Sequence, residues 1–503
     1  MSRLSFTLAA SAMLVVRAFA DDPATGSAAA SKAAAAAAPA PIKIGSVTVT
    51  GSIRSRVESW DWFAPDNAQS QNAYTFSGNI FRLGFSQAHE SWDWNLEFAV
   101  PFILGLPASP IAAGVQGQLG QGASYFAANN KTTNTGMIFA KQGYFRVKNL
   151  FGSPAQSIRV GRFEYSDGTE TAPKNGTLAA LKNTRISQRL IGPFGFTHVG
   201  RSFDGIHYVY NTPKNNFTFV GAVPTRGVFQ TDGWGETNTA FGYAAYTKPW
   251  GSGTHTADTR VFALYYDDWR RITKTDSRPA AIRAKDLTNI RLQTYGAHSV
   301  HAFETASGTA DLLLWGALQG GTWGTQTQHA HAVALEAGFQ PKIAKPLKPW
   351  FRGGVFESSG DGNPNDGKHG TFFQALPTPR PFARFPFFNL MNNRDRMGAM
   401  ILRPHPKWTV SSEFHALRLS NKNDFWYLGG GAFQPWTFGY TGRATNGALS
   451  LANLYDTNVE WRALKNFTVT GYYGFAQGRA VMQALYPKGK DGSLGYVEFT
   501  YKF

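Results

Sequence analysis

From Ile42 onward the chain alternates with period two. Val47, Val49, Gly51, Ile53, Ser55 and Val57 share one parity, and Thr48, Thr50, Ser52, Arg54, Arg56 and Glu58 share the other. That pattern is a strand with one apolar and one polar face. It recurs along the chain. Phe81, Leu83 and Phe85 alternate with Arg82. Phe145 and Val147 alternate with Tyr144, Arg146 and Lys148, and Ile158 and Val160 alternate with Arg159. Ile290, Leu292 and Thr294 alternate with Arg291. Phe351, Gly353 and Val355 alternate with Arg352, and Val459, Trp461 and Ala463 alternate with Glu460 and Arg462. Turn residues separate the runs, at Gly152-Ser153-Pro154, at 211–216, at Pro249-Trp250-Gly251-Ser252-Gly253 and at 463–466. No capped helical stretch is apparent. The charge-free run 98–130 is long enough to cross a bilayer, but Pro101, Pro107, Pro110 and five glycines break a helix there. A strand ending near Phe102 and a Gly-rich loop fit that run better.

Many antiparallel strands build either a soluble sandwich or propeller, or a membrane barrel. The two ends of the chain favour the barrel. Arg3, an apolar stretch 4–16 and Ala18-Phe19-Ala20 form a secretion signal over 1–20. An Ala/Pro-rich stretch, 21–42, reads as a flexible periplasmic segment, leaving 43–503 for the barrel. At the other end Val497, Phe499, Tyr501 and the terminal Phe503 alternate with Glu498, Thr500 and Lys502. An apolar strand ending in Phe resembles the assembly signal of bacterial outer-membrane barrels. The same edge on a soluble protein would invite aggregation. No propeller-period repeat is visible. At roughly 25 residues per strand with its share of loop, the length gives about 18 strands, with 16 possible. A barrel of that size is expected to hold a water-filled lumen.

Composition adds the chemistry. Charged residues are 16% of the chain, against roughly 25% in soluble proteins. Aromatics at 14% exclude disorder over most of its length, and zero Cys excludes disulfides and thiolate metal sites. The formal charge is +17. A charge facing lipid at mid-depth costs roughly 2–4 kcal/mol. Parity therefore assigns Arg54, Arg56, Arg82, Arg146, Lys148, Arg159, Arg291, Arg352 and Arg462 to the lumen, with Glu58, Glu97, Glu460 and Glu498 as candidate partners.

Several segments resemble the alginate-export family of outer-membrane porins. They are Gly161-Arg162-Phe163-Glu164-Tyr165-Ser166-Asp167-Gly168, Gly200-Arg201-Ser202-Phe203-Asp204-Gly205, the acidic loop from Ser359 to Gly367 followed by Phe372-Phe373 and Pro377, and Phe414-His415 with the later Asp424, Tyr427 and Gly429 to Gly431. The resemblance spans about 160 to 503. It implies an 18-stranded monomeric barrel whose arginine-rich pore, with Arg162 and Arg201 added to the lining, exports an acidic polysaccharide. A positive pore concentrates anions by focusing, and the arginine fork suits carboxylates. The expected partners are outer-membrane lipid, an anionic polysaccharide or small anions, the barrel-assembly machinery and periplasmic export proteins, and not nucleic acid. A general anion or small-sugar porin is the first alternative, and an enzyme built on a barrel the second. No cofactor or metal is expected. His329 with His331, and His298 with His301, lack a carboxylate at a metal-site spacing. Asp361 and Asp366 in the loop 358–396 lack the EF-hand spacing and read as turn carboxylates. The phenylalanines of that loop could stack on sugar rings or anchor it to the rim.

Overall fold

A computed structural model describes residues 42–503. The signal peptide expected over 1–20, and all but the last residue of the segment expected over 21–42, lie outside the described residues. Ile42 itself opens a short strand, Ile42–Ile44, paired with Val47–Val49.

Eighteen long strands follow. They are β1 Val47–Asp61, β2 Ala73–Ala88, β3 Trp92–Leu104, β4 Phe139–Lys148, β5 Gln156–Phe163 and β6 Phe203–Asn211. Next come β7 Asn216–Pro224, β8 Thr239–Ser252, β9 His255–Asp268, β10 Ile290–Glu304, β11 Gly308–Trp323 and β12 Gln326–Pro341. The last are β13 Trp350–Ser358, β14 Arg394–His405, β15 Trp408–Arg418, β16 Ser450–Leu464, β17 Phe467–Gly478 and β18 Gly492–Lys502. Each pairs antiparallel with its chain neighbours, and β18 pairs with β1 from Ser52↔Lys502 to Asp61↔Ser493. That last ladder closes the barrel. Closure satisfies every strand edge internally, which a sheet in lipid requires.

The two faces follow the alternation. In β1, Ile53 and Val57 are exposed, while Arg56, Glu58 and Trp60 are buried inside. In β18, Val497 and Phe499 are exposed, while Leu494 and Tyr496 are buried. The strands read with Pro249 to Gly253 as a turn run further, since β8 extends to Ser252.

One end of the barrel carries turns of two to eight residues, and the other carries the loops 105–138, 164–202, 359–393 and 419–449. Short turns lie on the periplasmic side of such barrels. Phe503 is therefore at the periplasmic end. Its backbone closes the seam by N–H···O bonds with Gly51 in both directions, at 2.8 and 2.9 Å. Its ring covers Gly51 on the outer face. A Cβ at Gly51 would sit 2.2 Å from the tip of the Phe503 ring, so any larger residue there must displace the ring.

Four short helices, absent from the sequence expectation, stand in the loops: α1 Gln121–Ala128, α2 Gly176–Leu181, α3 Ala280–Lys285 and α4 Ala480–Leu485. None of the helices among the described residues is long and apolar enough to cross a membrane.

Two loops cross the lumen. In the first, 164–202, the side chain of His198 meets Glu58 of β1, Lys182 meets Asp258 of β9, and Arg185 meets Glu336 of β12. β1 and β9 stand on opposite sides of an eighteen-strand ring, so this loop spans it. In the second, 359–393, Phe373 packs on Tyr266 of β9, Phe372 on Trp315 of β11, Phe385 on Trp60 of β1, and Arg384 donates to Tyr496 of β18 at 3.0 Å. Phe372, Phe373, Phe382, Phe385, Phe387 and Phe388 are all buried. They form the core of a plug, rather than a sugar-stacking surface or a rim anchor. Each buried ring contributes roughly 2 kcal/mol of apolar burial. The lumen is thus packed where the loops cross it, and the water-filled expectation applies to what remains of the pore.

Candidate functional site: the lumen wall and its constriction

The wall positions its cations by register. Arg54, Arg56, Arg82, Arg146, Lys148, Arg159, Arg352 and Arg462 all carry the inward parity of their strands. Most meet a carboxylate. Arg56 bridges Glu498 at 2.6 Å and Glu58 at 3.2 Å, and Arg54 lies 3.7 Å from Glu498. Arg54 also donates to the carbonyl of Gly195 at 2.6 Å, which pins the first crossing loop to β1. Arg82 bonds Glu97 at 2.6 Å and Glu164 at 2.8 Å. Arg352 is buried against Asp311, and reaches Glu336 at 3.1 Å. Arg146 makes a forked pair with Asp93 at 2.6 and 2.9 Å, with Lys148 at 3.7 Å from the same group. Arg462 meets Glu460 at 3.0 Å. Arg159 instead donates to His207 Nδ1 at 3.0 Å and lies over the Phe163 ring at 4.3 Å.

Three expected pore residues lie elsewhere. Arg291 points outward, with its side chain 59% exposed, while Ile290 and Leu292 are buried inside. The lumen at that height is filled by phenylalanines of the plug, so the apolar parity there faces inward. Arg162 shares the outward parity of Val160, pairs with Asp204 at 2.7 Å and lies near Trp234 at the extracellular rim. Gly161 beside it has a φ of +123° but stays in register with both neighbouring strands. Arg201 precedes β6 and is fully buried among loop carbonyls, bonding Gly430, Ala432 at 3.2 Å and Pro377 at 3.4 Å. Burial pushes its guanidinium down to about 10. It fastens loops together and touches no pore.

The structure adds cations that parity could not supply. Arg185 and Arg189, both from the first crossing loop, converge with Arg352 on Glu336, at 2.9, 3.6 and 3.1 Å. Arg260 of β9 bonds Glu170 at 3.0 Å beside Tyr243. Loop residues have no alternation to read. Arg260 shares its parity with Phe262 and Leu264, which disguises it as lipid-facing. The inward register also places Lys502 on β18 at the periplasmic end, and Arg403 of β14 lies there over the inward Trp350 ring at 5.8 Å.

Charge along the pore is therefore uneven. Where the loops cross, arginines are largely matched by carboxylates. At the periplasmic end, the wall from β14 through the β18–β1 seam to β5 carries Arg403, Arg462, Lys502, Arg146, Lys148 and Arg159. Glu460 and Asp93 are the carboxylates paired with this group. Arg146 and Arg462 are about two-fifths exposed, so they remain open to solvent.

Asp361 and Asp366 serve turns. The first accepts from Ser277 at 2.8 Å and the second from the Lys368 N–H at 2.9 Å. His329 and His331 lie on the exposed outer face of β12. No cluster of potential metal ligands occurs among the described residues.

A closed barrel of eighteen antiparallel strands with lumen-crossing loops defines an outer-membrane channel. The profile described as alginate export matches residues 129–484, and the chain belongs to that family. No curated protein matches the sequence. Solved structures of similar fold include Pseudomonas aeruginosa OccK9 (OpdG), at 9% identity and TM-score 0.55, covering 91% of this chain and 98% of that one. Acinetobacter baumannii OccAB2 is similar at 10% identity and TM-score 0.55, covering 92% and 99%. Pseudomonas aeruginosa OccK2 (OpdF), solved with glucuronate, is similar at 8% identity and TM-score 0.53, covering 91% and 98%. Family and fold together place the protein in the bacterial outer membrane, in contact with lipid and open to solute passage.

Proposed function

We propose that this channel carries an anionic, uronate-type polysaccharide out of the periplasm, drawn in by the basic periplasmic mouth. The observation that supports this reading is the surplus of Arg403, Arg462, Lys502, Arg146, Lys148 and Arg159 over Glu460 and Asp93. A focused positive field raises the local concentration of anions and their rate of entry, and charged rings select the permeant sign. Arg146 and Arg462 present partly exposed guanidiniums, and a guanidinium binds a carboxylate through two parallel bonds. Further in, the arginines shared between wall and loops offer the same chemistry once the loops yield. Movement of the loops is needed for a polymer, since they cross the lumen.

The crossing loops equally favour a second reading, a porin for small sugar acids that pass a narrow constriction without loop displacement. The fold's likeness to a structure holding glucuronate is consistent with it. Current recordings separate the two. A polyuronate added on the periplasmic side should block the current at concentrations where a neutral oligosaccharide of equal length does not. Passage of monomeric uronate with no block by the polymer would favour the small-solute porin. Equal indifference to both anions would remove the anionic-substrate reading altogether.

A further inference from the structure

The strongest unassigned feature lies outside the pore, on the lipid-facing side of the extracellular rim. A cavity of about 540 Å³ opens there, lined by Arg271 and Lys285 from the loop 269–289, by Arg291 of β10 and by Thr322 of β11. Arg291 and Thr322 stand directly opposite one another in the ladder, on the outward parity. Asp267, opposite Arg291 on β9, is 3.4 Å away and is the carboxylate paired with it. Three cations therefore converge on one concavity beside one carboxylate.

Depth along the barrel identifies the surroundings. On β10 the outward parity runs from Phe303 at the periplasmic end, through Tyr295, to Arg291. Phe303 stacks with His255 and His301 near Trp250, a ring of aromatics at one membrane interface. Arg291 is twelve residues beyond Phe303. At about 3.3 Å per residue and a tilt of roughly 40°, that is about 30 Å along the membrane normal. The apolar band of such barrels is about 25 Å tall. The cavity thus sits just beyond the hydrocarbon, at headgroup level of the outer leaflet. Leu287 lines the cavity from the loop, and on the wall below it exposed Tyr265, Tyr295 and Leu318 share the outward parity and form its apolar margin towards the membrane.

We infer that this cavity binds the phosphorylated headgroup of an outer-leaflet glycolipid, with Arg271, Lys285 and Arg291 on a phosphate and Tyr295 and Leu318 beside the acyl chains. Phosphate fits because two guanidiniums and an ammonium converge where, among the described residues, Asp267 is the carboxylate paired with them, and because forked donors match its oxygens. A lipid source fits because the site faces lipid, at headgroup depth, with an apolar margin. The transported substrate travels on the other side of the wall, so the site is independent of the proposed transport role.

The test uses the full-length protein purified in mild detergent. Binding of diphosphorylated lipid A is titrated against its dephosphorylated form, for wild type and for the triple variant R271Q/K285Q/R291Q. Heat-modifiable migration confirms that the variant is folded. Loss of three charge-assisted contacts should weaken binding about tenfold or more. Removal of the phosphates from the lipid should weaken wild-type binding comparably, and R291K should retain most of it. Single-channel conductance should be the same in wild type and the triple variant. Equal binding of both lipids, or unchanged binding by the triple variant, overturns the inference. Inorganic phosphate that competes as well as the lipid, mole for mole, would make this a free-anion site and overturn the lipid assignment. Displacement of the lipid by soluble oligouronate would reassign the cavity to the exported sugar.

Discussion

Replacing Glu336 by Gln is expected to unlatch the first crossing loop. Glu336 accepts two bonds of 2.9 Å from Arg185 and one of 3.1 Å from Arg352, with Arg189 at 3.6 Å. All four side chains are buried. E336Q keeps the shape of the side chain and removes the negative charge that three guanidiniums share. Arg352 retains Asp311, but Arg185 and Arg189 are left buried without a carboxylate in the cluster. Breaking a buried pair in this way costs about 3–5 kcal/mol. Arg185 and Arg189 belong to the loop, so their share is lost only while the loop is docked. Taking the lower end, about 3 kcal/mol, the undocked fraction rises by about two decades. Planar-bilayer recordings should show frequent openings to a higher conductance level, and limited proteolysis should cut 164–202 faster while the barrel stays intact. Wild-type conductance, noise and cleavage rate in E336Q would refute the idea that this cluster holds the loop.

Two further outcomes follow from the seam and from the loop. G51V should displace the Phe503 ring, since a Cβ there would approach it to 2.2 Å, and should depress outer-membrane levels as deletion of Phe503 does; normal heat-modifiable barrel in both variants would dissociate Phe503 from assembly. His198, on the first crossing loop, is buried against Glu58 and beside Arg54 and Arg56, and burial leads in lowering it to about 4. Its neutral form is the docked one, so docking is fully stable above about pH 6.5 and weakens as pH falls towards 4. At pH 5 the loss is about 2 kcal/mol, and gating noise should rise between pH 7 and pH 5. A flat profile, or one unchanged in H198N, would exclude His198 as the sensitive group.

The barrel was legible because lipid and wall impose a period of two that no local detail overrides. The C-terminal strand around Val497 to Phe503 and the inward direction of Arg54, Arg82, Arg146, Arg159, Arg352 and Arg462 came from that alternation, and the strand number from the length available per strand. The sign of the alternation was not always legible. It equates the apolar face with lipid, and this fails where Ile290, Leu292, Phe262 and Leu264 face a plug of phenylalanines instead. Arg291 was misplaced inside for that reason, and Arg260 was missed. Arg162 failed differently, because it was assigned through the family-like motif at a strand end, while the parity it shares with exposed Val160 points outward. Arg185 and Arg189 could not be placed from sequence, and Arg201 was placed in the pore by the family-like motif alone, because loops have no period and their partners lie about 150 to 230 residues away. Pairing was only partly foreseen. Glu58, Glu460 and Glu498 were candidates for wall ion pairs, but Glu336, shared among three arginines, was not.

Anion selection by the unbalanced cations of the periplasmic mouth would show in the reversal potential across planar bilayers under a salt gradient, measured for wild type and for R146E/K148E/R159E. At about 0.1 M salt, where the Debye length is about 10 Å, wild type should favour anions and the variant should shift towards cations. The difference should shrink at about 1 M, where the Debye length is about 3 Å. A wild-type channel without anion preference at low salt, or a variant with unaltered selectivity, would mean that these cations are not the selective element.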